Sequence, residues 1–149
     1  MEGSFALQQP MRFSSIIALA ALSLPAFAQS PVISEFLADN DDVIVDVDGD
    51  SSDWIEIHNS GSSSLDLGGW HLTDDASDPF KWTFPSSVWV APGGFMLIFA
   101  SSKDRTDPLD ELHTNFKLSS GGEYLALYNP TGSFASTEFT PGFPQQYED

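Results

Sequence analysis

The chain is 149 residues long, carries 22 Asp and Glu against 5 Lys and Arg for a formal charge of −17, and has no cysteine. Such a surface repels phosphate backbones, whose binding relies on Lys and Arg releasing counterions, so nucleic acid is not an expected partner. Without thiols there are no zinc-thiolate centres, redox couples or cysteine nucleophiles, and the core has to be held by apolar packing.

Met11-Arg12 precedes an apolar run, 16–27, that ends in Ala26-Phe27-Ala28. The pattern predicts a secretory signal peptide over 1–28, cleaved after Ala28, with Met11 as an alternative start. The run is too short for a membrane span, which takes about 20 apolar residues, so no transmembrane segment is expected. Glu2 and Arg12 leave together, and the remainder keeps its charge of −17. A secreted or cell-surface location follows.

Beyond the leader, apolar residues recur with period two or in short runs and never hold a helical period over three turns. That predicts an all-β domain over 29–144. Strands are expected at 32–37 and 53–59, the second with Ile55 and Ile57 on one face and Trp54, Glu56 and His58 on the other. A third, 65–73, is interrupted by Gly68-Gly69, a pair that permits a bulge. The stretch 80–84 alternates until Pro85 stops it. Pro92-Gly93-Gly94 turns the chain into 95–99, apolar on both faces and expected as a central, doubly covered strand. Strands at 123–128 and 133–139 should form a hairpin about Asn129-Pro130-Thr131-Gly132, which suits a type I turn. About eight short strands with this punctuation predict an immunoglobulin-like β-sandwich. The longest connection, 101–115, is polar, with one helical turn expected at 110–113, and such loops tend to be functional. The tail, 145–149, reads as the truncated start of a following segment.

The strongest candidate site is acidic. Asp39, Asp41, Asp42, Asp46, Asp48, Asp50 and Asp53 crowd into 39–53 with no Lys or Arg among them. Calcium takes six to eight oxygens, and Asp at alternate positions with a turn at Gly49 would wrap one ion, so Asp46, Asp48, Asp50 and Asp53 are its expected ligands in a structural role. The loop is no EF-hand, because Ser51 stands at its sixth position and Ile57 at its twelfth. The plainer alternative is a solvated acidic loop. With 22 acids, carboxylate pairs of the glycosidase kind arise by chance, and none stands out. No Gly-x-Ser-x-Gly, His-Glu-x-x-His or phosphate-binding loop occurs, and no catalytic residue is expected. His58 and His71 fall in the polar phase of their strands and are expected at the surface, while His113 is placed to fix its loop. Trp70 and Trp82 share phase with Leu72, Phe80 and Phe84 and read as core; Trp54 and Trp89 could serve as platforms for a ligand.

Several motifs in order then carry a resemblance. They are Ile33-Ser34-Glu35, Asp46-x-Asp48-Gly49-Asp50-x-Ser52-Asp53-Trp54-Ile55-Glu56-Ile57-x-Asn59, and Leu65-Asp66-Leu67-x-Gly69-Trp70-x-Leu72-Thr73-Asp74. Lys81-Trp82-x-Phe84-Pro85, Pro92-x-Gly94, Ala100-Ser101-x-Lys103-Asp104-Arg105, His113-Thr114-Asn115-Phe116-Lys117-Leu118 and Gly121-Gly122-Glu123-Tyr124-Leu125-Ala126-Leu127 follow. Across 32–144 the chain resembles the lamin tail domain family in its bacterial secreted form. The resemblance implies an immunoglobulin-like sandwich without catalytic residues, serving as an interaction or attachment module, here the N-terminal accessory domain of a longer exported protein. Its expected partner is a protein or cell-surface component. The alternatives are a carbohydrate-binding module using Trp54, Trp89 or the 101–115 loop, and, in a different class, an acidic-residue hydrolase.

Overall fold

Alternation in the first two strands builds one wall of the molecule. In the computed structural model, which describes residues 30–146, β1 (Val32–Leu37) and β2 (Asp53–His58) pair antiparallel, and β7 (Phe95–Ala100) pairs antiparallel with the other side of β2. The expected signal peptide, 1–28, and the last residues of the expected tail, 147–149, lie outside the described residues. One face of this sheet carries Ile55, Ile57 and Ile98, none with exposed surface. A second sheet, β5 (Trp82–Thr83), β4 (His71–Thr73), β8 (Leu125–Tyr128) and β9 (Ala135–Phe139), is antiparallel in that order and offers Leu72, Trp82, Leu125 and Leu127 to the same core. A short pair, β3 (Leu65–Asp66) with β6 (Trp89–Val90), adds Val90 to it. Burying each such side chain contributes roughly 2 kcal/mol. Nine short strands in antiparallel sheets around one core, with no helix among the described residues, make an all-β, immunoglobulin-like sandwich.

Several elements depart from the sequence expectation. The 65–73 strand is two strands in different sheets: Gly69, at φ 82°, takes the chain across between them, donating its N–H to the Phe84 carbonyl. The 95–99 strand is not central. β7 lies at the edge of its sheet with Phe95 58 % exposed, and only its far end, Phe99, is covered by the loop that follows. Phe80 is exposed although it shares phase with Trp82 and Phe84, because the strand begins only at Trp82 and Phe80 sits in a turn held by the Asp78 carboxylate. Trp70 is half-buried against the core rather than within it. His71 is buried, since the alternation restarts after Gly69; its Nδ1 lies 2.8 Å from the Thr83 hydroxyl. No helical turn forms at 110–113. The turn there closes Asp110 N–H onto the Asp107 carbonyl, and Leu112 to Thr114 then runs beside Phe99. The last described residues are packed: Phe143 is in the core, and the Gln146 side chain accepts the Ala38 N–H at 2.6 Å.

Candidate functional site

The loop between β1 and β2 is organised by two buried side chains. The Asn40 amide donates to the carbonyls of Ile44 at 2.6 Å and Ser52 at 2.7 Å, and its oxygen accepts the Val43 N–H at 3.0 Å. Asp46 then plays the same part for the next turn, its Oδ1 accepting the N–H groups of Asp48 and Asp50, each at 3.0 Å. Gly49, at φ 83°, permits that turn; a Cβ there would meet no neighbouring atom, so the requirement is conformational. Backbone polar groups that a loop would leave to water are thus satisfied by side chains.

The cation missing from the loop's own sequence comes from the other long loop. Lys103 Nζ lies 2.5 Å from Asp46 Oδ2, 2.7 Å from Asp48 Oδ2 and 2.9 Å from Asp50 Oδ2. Arg105 Nη2 adds a bond of 2.7 Å to Asp48 Oδ2, and Glu111 Oε2 accepts the Val47 N–H at 2.6 Å. The burial of Asp46 would push its carboxyl up, but the Lys103 hydrogen bond and charge and the backbone N–H groups bring it down to about 2. Burial likewise acts to lower the Lys103 ammonium, and its three carboxylate bonds raise it well above the ordinary value. Lys103 and Arg105 together hold the Asp48 carboxyl low.

Three of the four expected calcium ligands therefore converge, their oxygens within 4.8 Å of one another. Asp53 does not join them. Its Oδ2 accepts the Leu118 N–H at 3.2 Å, and burial pushes its carboxyl up. The donor set is three carboxylates already bonded to an ammonium, well short of the six to eight oxygens that calcium takes, so calcium would enter as a competitor for Lys103. The melting temperature is expected to be the same in calcium and in chelator, and to rise with calcium once Lys103→Met vacates the nest. A rise in the unsubstituted chain would make the ion resident.

The loop that delivers Lys103 is anchored beneath by a fully buried histidine. His113 Nδ1 lies 2.8 Å from Ser101 Oγ, and its ring stacks on Phe99 with centroids 5.1 Å apart. Phe99 in turn pairs with Trp54 across the sheet. Burial and the Arg105 and Lys103 charges hold His113 below its ordinary value. Ser101, His113 and Glu111 share composition with a hydrolytic triad, but not its geometry. Ser101 Oγ accepts the Lys103 N–H at 3.2 Å, and His113 Nε2 stands 3.8 Å from Glu111 Oε2, an oxygen already bonded to the Val47 N–H. Beside Ser101, a polar pocket of about 190 Å³ has Asp50 and Asp53 facing Lys103 and Lys117.

Over residues 27–140 the chain matches the family model of the Lamin Tail Domain. The chain belongs to the Lamin Tail Domain family. No curated protein matches it. The family's fold is the immunoglobulin-like sandwich found here, and its members are interaction modules. No described helix of this lamin tail domain is long and apolar enough to cross a membrane.

Set in that fold, the remaining candidates separate. Trp54 is buried between Leu37 and Phe99 of the neighbouring strands, so it offers no platform, whereas Trp89 is 59 % exposed on β6. His58 is half-exposed and stacks flat on Phe95, with centroids 4.3 Å apart. The residues that sequence reasoning missed are Asn40, Lys103, Arg105 and Glu111. The motif Ala100-Ser101-x-Lys103-Asp104-Arg105 was visible as two cations in an acidic chain, and charge balance against the 39–53 loop is the signal that points to them.

Proposed function

We propose that this lamin tail domain is an exported, non-catalytic interaction or attachment module, the N-terminal accessory domain of a longer secreted or surface-held protein, and that it meets its partner through the loop tied down by Lys103. The observation that carries this reading is a row of exposed valines on a pinned backbone. Val43, Val45 and Val47 are 71, 55 and 66 % exposed at alternate positions, while between them Ile44 is half-buried and Asp46 buried. Leu109, two residues before the Glu111 that holds Val47, is 95 % exposed. Apolar groups displayed on a rigid acidic frame are a contact surface in waiting. Rigidity favours this use, since an ordered loop loses little further entropy when a partner docks.

The test is capture from the exported fraction of the producing cells, followed by reconstitution with the purified partner. Val45→Ser with Val47→Ser is expected to lower affinity by about tenfold or more, given the apolar area removed, with an unchanged melting temperature. Equal affinity in that variant would remove the loop from the interface. For the carbohydrate alternative the only exposed tryptophan among the described residues, Trp89, would have to serve as platform; glycan binding abolished by Trp89→Ala would favour it.

A further inference from the structure

The edge of β7 is only half used. Gly94 turns its carbonyl toward Asn59 at the end of β2, while Phe99 turns its N–H and carbonyl the other way, to Leu112 and Thr114. Backbone groups alternate sides along a strand, so Phe95 and Leu97 also point theirs away from β2. Among the described residues nothing bonds to them, because the segment that covers the edge reaches only Phe99 and Ser101. Natural sheets blunt such edges with lysine, proline or a bulge. This one has none: β7 reads Phe95-Met96-Leu97-Ile98-Phe99-Ala100, and its register against β2 runs without a shift.

The charge around the edge says what it would accept. Between Lys81 and Lys103 no side chain is ionisable, in a chain whose charge is −17. The covering segment joins the edge at Leu112, directly after Asp107, Asp110 and Glu111 and with Arg105 paired to His113 beside them, so three carboxylates against one guanidinium stand in the chain just before the point where it meets Phe99. A second copy would bring an equal negative charge with it. An extended peptide, uncharged where it pairs and basic at its flank, would be drawn in by the same field.

We propose that the free edge of β7 at Phe95 to Leu97 is a strand-addition site for an extended, basic-flanked peptide segment of a partner protein. The proposal rests on the reading of the domain as an interaction module and assigns it a second surface, distinct from the valine loop. Main-chain hydrogen bonds from Phe95 and Leu97 would supply the register, and Phe95 with the half-exposed Leu97 the side-chain contacts.

The probe is a seven-residue peptide of alternating valine and threonine between terminal lysines, followed by amide chemical shifts of the whole domain. Shifts centred on Phe95 and Leu97 are expected, with binding that weakens as salt rises and falls by about tenfold when the lysines become glutamates. Leu97→Pro, which removes an outward N–H and is tolerated on an edge, is expected to weaken binding by a similar factor. Absence of binding, or shifts confined to the 41–50 and 101–116 loops, would overturn the proposal. So would self-association of the unsubstituted chain that Leu97→Pro abolishes, which would give the edge to a second copy. If the proline variant does not fold, the glutamate-flanked peptide still decides. Failure of the peptide with the Val45→Ser, Val47→Ser effect intact overturns the edge and leaves the loop reading standing.

Discussion

Asp46→Ala is expected to destabilise the domain by about 2 kcal/mol, measured by chemical denaturation, because it removes the one buried carboxylate of the cluster, leaving Lys103 with Asp48 and Asp50 alone and two backbone N–H groups without their acceptor. Two effects compound. The side chain of Asp46 has no exposed surface, so Lys103 loses its one buried carboxylate and keeps only the more exposed Asp48 and Asp50, and the N–H groups of Asp48 and Asp50 lose their acceptor. Asp46→Asn keeps the shape and one acceptor but not the charge, and should lie between. The pH dependence follows from the same bonds. A carboxyl held at about 2, against an ordinary 3.8, gives its full stabilisation above 3.8 and loses it as pH falls through 2. Asp46→Asn should flatten that limb of the acid-unfolding curve. Asp53 and Glu123 act with the opposite sign: burial raises both, so protonating them during acidification offsets part of the loss.

His113→Ala should be costlier, about 3 kcal/mol, since it opens a cavity in a closed site and strands the Ser101 hydroxyl. The histidine also gives the domain an earlier acid limb. Burial, then the Arg105 and Lys103 charges, depress its titration below 6.5, so the folded state resists a proton that the unfolded chain accepts. Its stabilisation is complete above 6.5 and declines as pH falls below that value toward its folded titration point. His113→Gln is expected to remove the dependence that sets in below pH 6.5 while leaving the Asp46 limb below 3.8. An unaltered profile in that variant would show that His113 titrates as a free imidazole.

How much of this could be read from the chain varies with the range of the interaction. The strands at 32–37 and 53–59 were legible because a two-residue period is a local signal that burial on one face enforces. The β7 edge was not, because a continuous apolar run is compatible with any strand covered over part of its length, and coverage depends on where the 112–117 segment stops. The acidic loop was legible as a site needing a positive charge and illegible as to its source. Asp46 and Lys103 are 57 residues apart, and only the sandwich, by bringing the β1–β2 loop and the segment after β7 to one end, makes them neighbours. His71 and Trp54 show the same limit, each taking the polar phase of its strand yet buried by a distant element.

Amide hydrogen exchange across 43–50, in the unsubstituted domain and in Lys103→Met, probes most directly whether the loop is a rigid frame closed by a tethered ammonium. The amides of Val47, Asp48 and Asp50, bonded to Glu111 and Asp46, should be protected in the first and exchange by about tenfold or more faster in the second, as expected for the loss of a charge-assisted hydrogen bond. Fast exchange of all three in the unsubstituted domain, or equal protection in both proteins, would contradict it.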